Sequence, residues 1–301
     1  MKITLMALSL ALLSSAAFGA LSLNPQKVVT PLINIFSDSN RILGAQSANV
    51  SVTTFNNRGV LRLNGERKII AKSLYEKLKS QAEAVYQMIP KENQQETTFR
   101  MGTAFHIGSN LVLTNHHVLS VSRSNLNRCD DFQLKVRNTR SSFYKCKKVH
   151  FCSPERDLCL IEMESRSRNR KYSLDQGPAL KLRAHLDSVD SEQEILTAIG
   201  NSMGLAIHAS QGRGTSLSNF GRIFYAPLTQ GNSGGPLLNS EGVVVGLVRA
   251  QSNSADPKLV NDVGPNAFNV AVPMDIVIDT IRQSGALDPE TLEKFNASVI
   301  E

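Results

Sequence analysis

Three short segments of the chain contain residue types that could act together in catalysis. The most informative is the glycine-rich turn 231–235 (GNSGG), which comes directly before an apolar run. A serine hydroxyl is a poor nucleophile until a base takes its proton. A tight turn of this composition exposes the Ser233 hydroxyl. It also aims the backbone N–H groups of Gly231 and Ser233 at one point, where they would stabilise a developing oxyanion. An ordinary Gly-Ser loop explains the composition but not the apolar strand that follows it.

Two further segments supply a base and an acid for such a serine. His116 and His117 stand in a polar turn after a β-like run, where a histidine acts as a general base near neutral pH. Asp157 heads an apolar run, where a buried carboxylate is costly unless a cation or a hydrogen-bond donor meets it. Such an aspartate either orients a histidine or caps a turn. The spacings, 40 residues from His117 to Asp157 and 76 from Asp157 to Ser233, favour a first β-barrel with His and Asp and a second with Ser.

The elements that must position these segments are mostly short strands. A helix is predicted over residues 67–85, where apolar residues recur at spacings of three and four, and a short one over residues 273–284. The basic stretch 166–171 (RSRNRK) is a linker candidate between two β units. Short apolar runs separated by Gly, Asn and Ser predict an all-β sandwich or barrel. These runs are residues 103–107, 111–114, 132–136, 158–163, 195–199, 235–238 and 243–248.

The first nineteen residues predict export. A lysine, eleven apolar residues and a run of small residues make a secretory signal peptide over residues 1–19, cut after Gly19. A membrane anchor is disfavoured, because a span needs about 20 apolar residues. We therefore expect a secreted or periplasmic protein with no membrane contact after signal removal. The composition, 41% hydrophobic and 20% charged, excludes fibrous and disordered classes. The formal charge of +7 permits an anionic partner, but no nucleic-acid-binding motif is visible, and we expect no nucleic acid partner.

Longer motifs around these segments carry a family resemblance. They are GTAFHIGSNLVLTNHHV, DLCLIEM, GNSGGPLLNSEGVVVGLV and FNVAVPMD. The sequence resembles bacterial trypsin-like (chymotrypsin-fold) serine endopeptidases, similar to glutamyl endopeptidases and the HtrA protease domain, over about residues 84–284. The resemblance implies an all-β fold of two six-stranded antiparallel β-barrels, residues 84–165 and 172–275, with the active site between them. It leaves a helix-bearing N-terminal extension or propeptide at residues 20–83, a short C-terminal helix, and a C-terminal tail at residues 285–301.

The same resemblance assigns the catalytic roles. It selects His117 over His116 as the base, makes Asp157 the residue that orients it, and makes Ser233 the nucleophile. The backbone amides of Gly231 and Ser233 would form the oxyanion hole. The implied reaction is hydrolysis of a protein or peptide substrate through an acyl-enzyme, by a monomer that needs no cofactor and no metal. The alternative is a catalytically silent homologue that acts as a binding or regulatory module.

Departures from the animal trypsin pattern bear on activation and specificity. Asn232 stands where those enzymes have the aspartate that pairs with the freed N-terminus, so we expect no such activation switch. Whether residues 20–83 are removed as a zymogen propeptide or retained is left open. The primary pocket, which holds the residue before the scissile bond, matches Pro227, Leu228 and Val248, with Arg249 close by. Because the matching positions hold no acid, we expect the substrate to carry an apolar or small residue before the scissile bond.

The four cysteines predict two disulfides. Cys129, Cys146, Cys152 and Cys159 lie within one short window, and an exported protein meets oxidising conditions. Three connectivities are open, and a zinc site is disfavoured because no Cys-x-x-Cys pair is present. A hairpin of strands 145–151 and 157–163 would bring Cys152 near Cys159 and leave Cys146 too far away. We therefore expect the pairs Cys152–Cys159 and Cys129–Cys146.

Overall fold

The computed structural model of the protein describes thirteen parts of the chain. They are residues 51–54, 72–90, 102–119, 129, 132–136, 142–168, 170–185, 195–201, 207–218, 221–224, 228, 230–251 and 269–301. The predicted signal peptide and most of the predicted extension lie outside them. Among the described residues, no helix is both long and apolar enough to cross a membrane.

Strands dominate the described residues. The strands are β1 (Ser51–Thr54), β2 (Val85–Pro90), β3 (Gly102–Gly108), β4 (Leu111–Thr114), β5 (Phe132–Lys135), β6 (Phe143–Ser153), β7 (Leu158–Met163), β8 (Leu182–Arg183), β9 (Ile195–Gly200), β10 (His208–Ser218), β11 (Gly221–Phe224), β12 (Pro236–Leu238), β13 (Val244–Gln251), β14 (Asn269–Pro273) and β15 (Val299–Ile300). The helices are α1 (Lys72–Glu83), α2 (His116–Leu119), α3 (Met274–Gln283) and α4 (Pro289–Asn296). The mostly β architecture agrees with the predicted fold class.

Six strands close a barrel in the first half of the chain. Their order is β2-β3-β4-β7-β6-β5, and every neighbouring pair, including β2 with β5, is antiparallel. The apolar side chains that fill this barrel are buried because alternate residues of each strand point inward. They include Met88, Ala104, Val112, Leu134, Ile161 and Met163. The predicted first barrel is therefore present.

The remaining strands form a second sheet of nine strands. Its order is β12-β9-β10-β11-β14-β13-β8-β15, with β1 paired to β10, and β12 pairs with β13 as well as with β9. β8 lies between β13 and β15 and is parallel to both. One apolar cluster reaches from the barrel into this sheet and onto three helices, so the two halves share a core. Its members include Leu78, Ala82, Phe105, Leu113, Ile199, Leu238, Leu247, Ile281 and Phe295.

Two parts of the chain differ from the sequence prediction. The helix predicted over 67–85 ends at Glu83, and Val85–Pro90 is a barrel strand that pairs with β3 and β5. The segment is a strand because its backbone pairs with β3 and β5, although the apolar residues before it recur at helical spacing. The segment predicted as a tail, 285–301, contains helix α4 and strand β15. The side chain of Phe295 in α4 is fully buried. Asp288 begins α4 by accepting a hydrogen bond from the Thr291 N–H.

Both disulfides lie on the barrel. Cys152 and Cys159 face each other across the β6–β7 pair with Cα atoms 4.1 Å apart, and Cys129 joins Cys146 with Cα atoms 4.9 Å apart. This is the predicted pairing, and no cysteine of the chain is free. The bonds hold the strand after the Asp157 turn to its neighbour and tie a loop residue to β6.

Candidate active site

His117 and Asp157 meet at the edge of the barrel. Helix α2 follows β4 and presents the His117 ring, while Asp157 ends the tight turn between β6 and β7. The ring nitrogen Nδ1 lies 3.0 Å from Asp157 Oδ1 and 2.8 Å from Oδ2, and the His117 backbone N–H donates to Oδ1 at 2.9 Å. An ionised carboxylate only accepts hydrogen bonds, so Nδ1 carries the hydrogen. The neutral ring therefore has an unprotonated Nε2, which is the form that takes a proton from a nucleophile.

The backbone around Asp157 fixes its carboxylate. The residue has φ +54°, in the left-handed region that aspartate tolerates better than most residues. Its N–H donates to the Pro154 carbonyl at 3.2 Å, and its carbonyl accepts from Asn115 Nδ2 at 2.7 Å. The Asp157 side chain is 8% exposed, whereas that of His117 is 47% exposed. The pair thus consists of a buried orienting carboxylate and an accessible imidazole.

Ser233 lies on the turn that enters β12. Gly231 and Gly234 in this turn have φ +98° and +84°, which L side chains rarely adopt. The Gly234 N–H donates to the Val248 carbonyl at 2.8 Å, and the Gly235 N–H donates to the Asn232 carbonyl at 3.0 Å. The half-buried Ser233 donates its hydroxyl to the Arg249 carbonyl at 3.1 Å. The turn is therefore held by backbone hydrogen bonds and presents a serine hydroxyl at its surface.

The Ser233 turn lies against the barrel strands that lead to His117. A Cβ built on Gly234 would come within 2.4 Å of Thr114 Oγ1 and 3.1 Å of the Asn115 nitrogen. Asn115 is two residues before His117. The structure therefore brings the three predicted segments to one place, where the barrel meets the second sheet.

The residues predicted for the specificity pocket fall into different surroundings. Leu228 and Val248 are buried in one apolar cluster of the second sheet, 4% and 2% exposed. Arg249 directs its side chain to the acid instead, with Nε 3.4 Å from Asp157 Oδ2. Pro227 lies outside the described residues. The role of Leu228 and Val248 in an apolar specificity pocket stays a prediction. Arg249 lies beside Asp157 as a cation, which its position in the sequence did not indicate.

Two residues that support the site were not singled out from sequence. Asn115 holds the Asp157 backbone, and Thr103 of β3 hydrogen-bonds to the Ser233 turn. Both are fully buried. Each lies within a quoted motif, GTAF for Thr103 and TNHH for Asn115, so the signal was present but its contacts were not. Among the described residues, no group of three or more His, Cys, Asp or Glu side chains is arranged to hold a metal ion.

Comparison with known proteins shows that this part of the chain is similar to a protein family. Residues 102–247 match the family model described as the trypsin-like peptidase domain. Over this range the chain is similar to the trypsin-like peptidase family. The matched range contains His117, Asp157 and Ser233, and the predicted resemblance to bacterial trypsin-like serine proteases is confirmed.

Individual relatives that are named as proteases are also similar to this chain. A probable periplasmic serine endoprotease, DegP-like, from Pseudomonas putida is 29% identical over 210 residues, 64% of this chain and 37% of that protein. Protease Do-like 5, chloroplastic, from Arabidopsis thaliana is 27% identical over 176 residues, 56% of this chain and 52% of that protein. The chain thus spans about a third to a half of these curated relatives. The solved serine endoprotease from Yersinia pestis has a TM-score of 0.52 and 17% identity, covers 71% of this chain and 67% of its own, and shares the fold.

Proposed function

We propose that this protein is an exported serine endopeptidase that hydrolyses peptide bonds through His117, Asp157 and Ser233. The observation that carries the proposal is the contact of His117 Nδ1 with both carboxylate oxygens of Asp157, beside a turn that presents Ser233. This contact sets the histidine tautomer that a serine nucleophile needs. The relatives named as serine endoproteases support the same reaction.

The reaction proceeds by two acyl transfers. The Ser233 hydroxyl turns from the Arg249 carbonyl to His117 Nε2, which takes its proton as Oγ attacks the scissile carbonyl carbon. The carbonyl oxygen becomes an oxyanion, which accepts hydrogen bonds from the N–H groups of Gly231 and Ser233. When the oxyanion collapses, the C–N bond breaks and His117 gives its proton to the leaving amine. Water then attacks the acyl-enzyme with His117 again as the base, and the acid product and free Ser233 are released.

The finer architecture is part of this proposal. We assign the strands β12-β9-β10-β11-β14-β13 to a second six-stranded antiparallel barrel, since β12 pairs with both β9 and β13. The protease domain then spans residues 84–284, with barrels over about 84–165 and 172–275. Residues 1–19 are the signal peptide and 20–83 the extension or propeptide. The segment 285–301 completes the second sheet through β15.

The substrate is a protein or a peptide cut after an apolar or small residue. Leu228 and Val248 supply an apolar surface, and the Arg249 side chain is directed to Asp157. Profiling on a peptide library tests this assignment. Cleavage after apolar or small residues supports it, and a strong preference for Lys, Arg or Glu before the scissile bond overturns it.

Export and assembly follow the same proposal. The periplasmic relatives support a secreted or periplasmic location. That the protein is a monomer and binds neither nucleic acid nor membrane stays a prediction from the sequence. Mass spectrometry of the secreted active protein locates its N-terminus. A start near Ala20 shows that residues 20–83 are retained, and a start near residue 84 shows that they are a propeptide.

Hydrolysis of an unfolded protein substrate tests the proposed activity. We expect the wild-type protein to cleave it, and Ser233→Ala and His117→Ala each to lose about four to six orders of magnitude in kcat. His116→Ala is the matched control, because it removes the neighbouring imidazole and should keep most of the activity. A wild-type protein that binds but never cleaves, with an intact fold, would establish the silent homologue instead.

A further inference from the structure

Thr103, on barrel strand β3, forms two hydrogen bonds to the Ser233 turn. Its N–H donates to the Ser233 carbonyl at 2.8 Å, and its hydroxyl donates to the Gly231 carbonyl at 2.6 Å. The same hydroxyl accepts from the Asn201 N–H at 3.0 Å, and the Thr103 carbonyl accepts from Thr114 Oγ1 at 2.7 Å. The residue is fully buried. One barrel residue thus contacts both ends of the tripeptide that contains the nucleophile.

These contacts fix the peptide planes that adjoin the oxyanion donors. The Thr103 hydroxyl holds the Gly231–Asn232 peptide, and the Thr103 N–H holds the Ser233–Gly234 peptide. The peptide between them, which contains the Ser233 N–H, is held by the bond from Gly235 to the Asn232 carbonyl. With all three planes held, the Ser233 N–H has a set direction.

Gly231 is the residue of the turn at which the backbone would rotate most easily. A glycine crosses φ/ψ space at little cost, so its neighbouring peptides turn unless other groups hold them. The Gly231 carbonyl is held by the Thr103 hydroxyl, which lies 128 residues away in the chain. Without that bond, rotation at Gly231 would move its N–H, the second oxyanion donor, out of line.

We propose that Thr103 is a positioning residue for the oxyanion hole, acting through the Gly231 carbonyl. This inference rests on the proposed serine endopeptidase activity. Thr103 does not touch the reacting atoms. Its hydroxyl orients the peptide that precedes the nucleophile, and it links the geometry of the second sheet to a strand of the barrel.

The rate of labelling by a fluorophosphonate measures this role without a known substrate. Ser233 Oγ bonds to phosphorus as the P–F bond breaks, fluoride leaves, and the proton of the hydroxyl passes to His117. The phosphoryl oxygen occupies the oxyanion hole, so the second-order labelling rate reports donor alignment. We expect Thr103→Val, which removes the hydroxyl and keeps the shape, to label about tenfold to a hundredfold more slowly.

Rescue and a matched control separate positioning from general destabilisation. Thr103→Ser restores the hydroxyl, and we expect it to label within about fivefold of the wild-type rate. Thr197→Val makes the same atomic change at another buried threonine, on β9, and should leave the rate unchanged. If Thr103→Val does not fold, Thr103→Cys replaces it, because a thiol is a weak donor of similar size and should label at an intermediate rate.

The outcomes distinguish this inference from the proposed function. Thr103→Val or Thr103→Cys labelled at the wild-type rate overturns the positioning role and leaves the serine mechanism standing. Equal slowing in Thr197→Val, or no recovery in Thr103→Ser, also overturns it. If the correctly folded wild-type protein is not labelled at all, the proposed function itself is overturned.

Discussion

The closed barrel and the second sheet hold the proposed catalytic residues by different means. The barrel supplies His117 and Asp157, whose side chains contact each other directly, and it carries both disulfides. The second sheet supplies Ser233 on a turn whose peptides are held one by one, each through a hydrogen bond to a backbone group. Two of those bonds come from the barrel residue Thr103.

The two halves therefore do not carry their parts of the site independently. The acid–base pair lies within the barrel, where Asp157 is bound by His117 and Asn115, both on the β4–α2 segment. Arg249 of the second sheet adds a cation beside Asp157. The nucleophile turn depends on β3 of the barrel as well as on its own sheet. Changes in the barrel should therefore affect both parts of the site, and changes near β12 should affect the nucleophile first.

Apart from the loss of Ser233 or His117 itself, the largest effect is expected at Asp157, the acid of the barrel. Asp157→Asn keeps the shape but turns an amide toward Nδ1, which favours the wrong tautomer of His117. We expect kcat for peptide hydrolysis to fall by about four orders of magnitude, as the corresponding change does in the well-studied triad. Asp279→Asn, on the exposed side of α3, is the control for loss of one carboxylate. Retention of more than about a tenth of the activity by Asp157→Asn would contradict the role given to the carboxylate.

The next effect is expected where the nucleophile turn meets the barrel. A Cβ at Gly234 would lie 2.1 Å from the Thr103 carbonyl oxygen, at φ +84°. We expect Gly234→Ala to lower the free energy of unfolding by about 2 to 5 kcal/mol and to abolish labelling of Ser233. Urea unfolding followed by circular dichroism measures the first effect.

A matched glycine isolates the contact from the backbone conformation. Gly285 has φ +64° and nothing within 4 Å of a built Cβ. We expect Gly285→Ala to show only the conformational cost, about 1 to 2 kcal/mol, with normal labelling. Equal losses of stability and labelling in the two variants would show that the close approach of the turn to Thr103 does not matter.

Removal of the disulfides should weaken the barrel by an intermediate amount. The Cys129–Cys146 bond closes a separation of 17 residues, and the Cys152–Cys159 bond one of 7. In the chain-entropy model, the double variant Cys129→Ser/Cys146→Ser loses about 3 kcal/mol of stability, and Cys152→Ser/Cys159→Ser about 2 kcal/mol. Denaturant unfolding under non-reducing conditions measures both. A larger loss from the shorter loop would argue that native contacts, rather than chain entropy, set the size of the effect.

The smallest effect is a pH dependence that also belongs to the barrel. Burial lowers the pKa of His106 on β3, although its bond to the Pro178 carbonyl and the charge of Asp175 act in the opposite direction. As the pH falls through about 6.5, the unfolded chain takes up a proton at this residue and the folded chain does not, so stability decreases. We expect the unfolding midpoint to be lower at pH 5 than at pH 7.5, and His106→Gln to reduce that difference. The exposed His185 provides the control, since His185→Gln should leave the difference unchanged.

Most strands of the barrel, and the meeting of the three predicted segments, could be predicted from the sequence because those signals are local. The apolar runs that became β4 and β7 coincide with the strands, and the GNSGG turn leads into β12. The strand Val85–Pro90 was missed because its pairing with β5, more than forty residues later, decides its conformation. β15 was missed for the same reason, since it exists through its pairing with β8.

The contacts within the site were predictable only in part. The motifs indicated which residues would meet, but not that the Arg249 guanidinium would lie beside Asp157 or that Thr103 would bind the Gly231 carbonyl. Those contacts join segments about ninety to 130 residues apart in the chain. No periodicity or motif predicts these contacts, because they form only when the barrel and the second sheet pack together.

The most direct test of the serine mechanism is to locate the covalent adduct of a fluorophosphonate by peptide mass spectrometry. We expect one adduct, on the peptide that contains Ser233, in the folded wild-type protein. We also expect that adduct to be lost in Ser233→Ala and after thermal unfolding. A folded wild-type protein that stays unlabelled, or an adduct on another residue that persists in Ser233→Ala, would contradict the claim that Ser233 is the activated nucleophile.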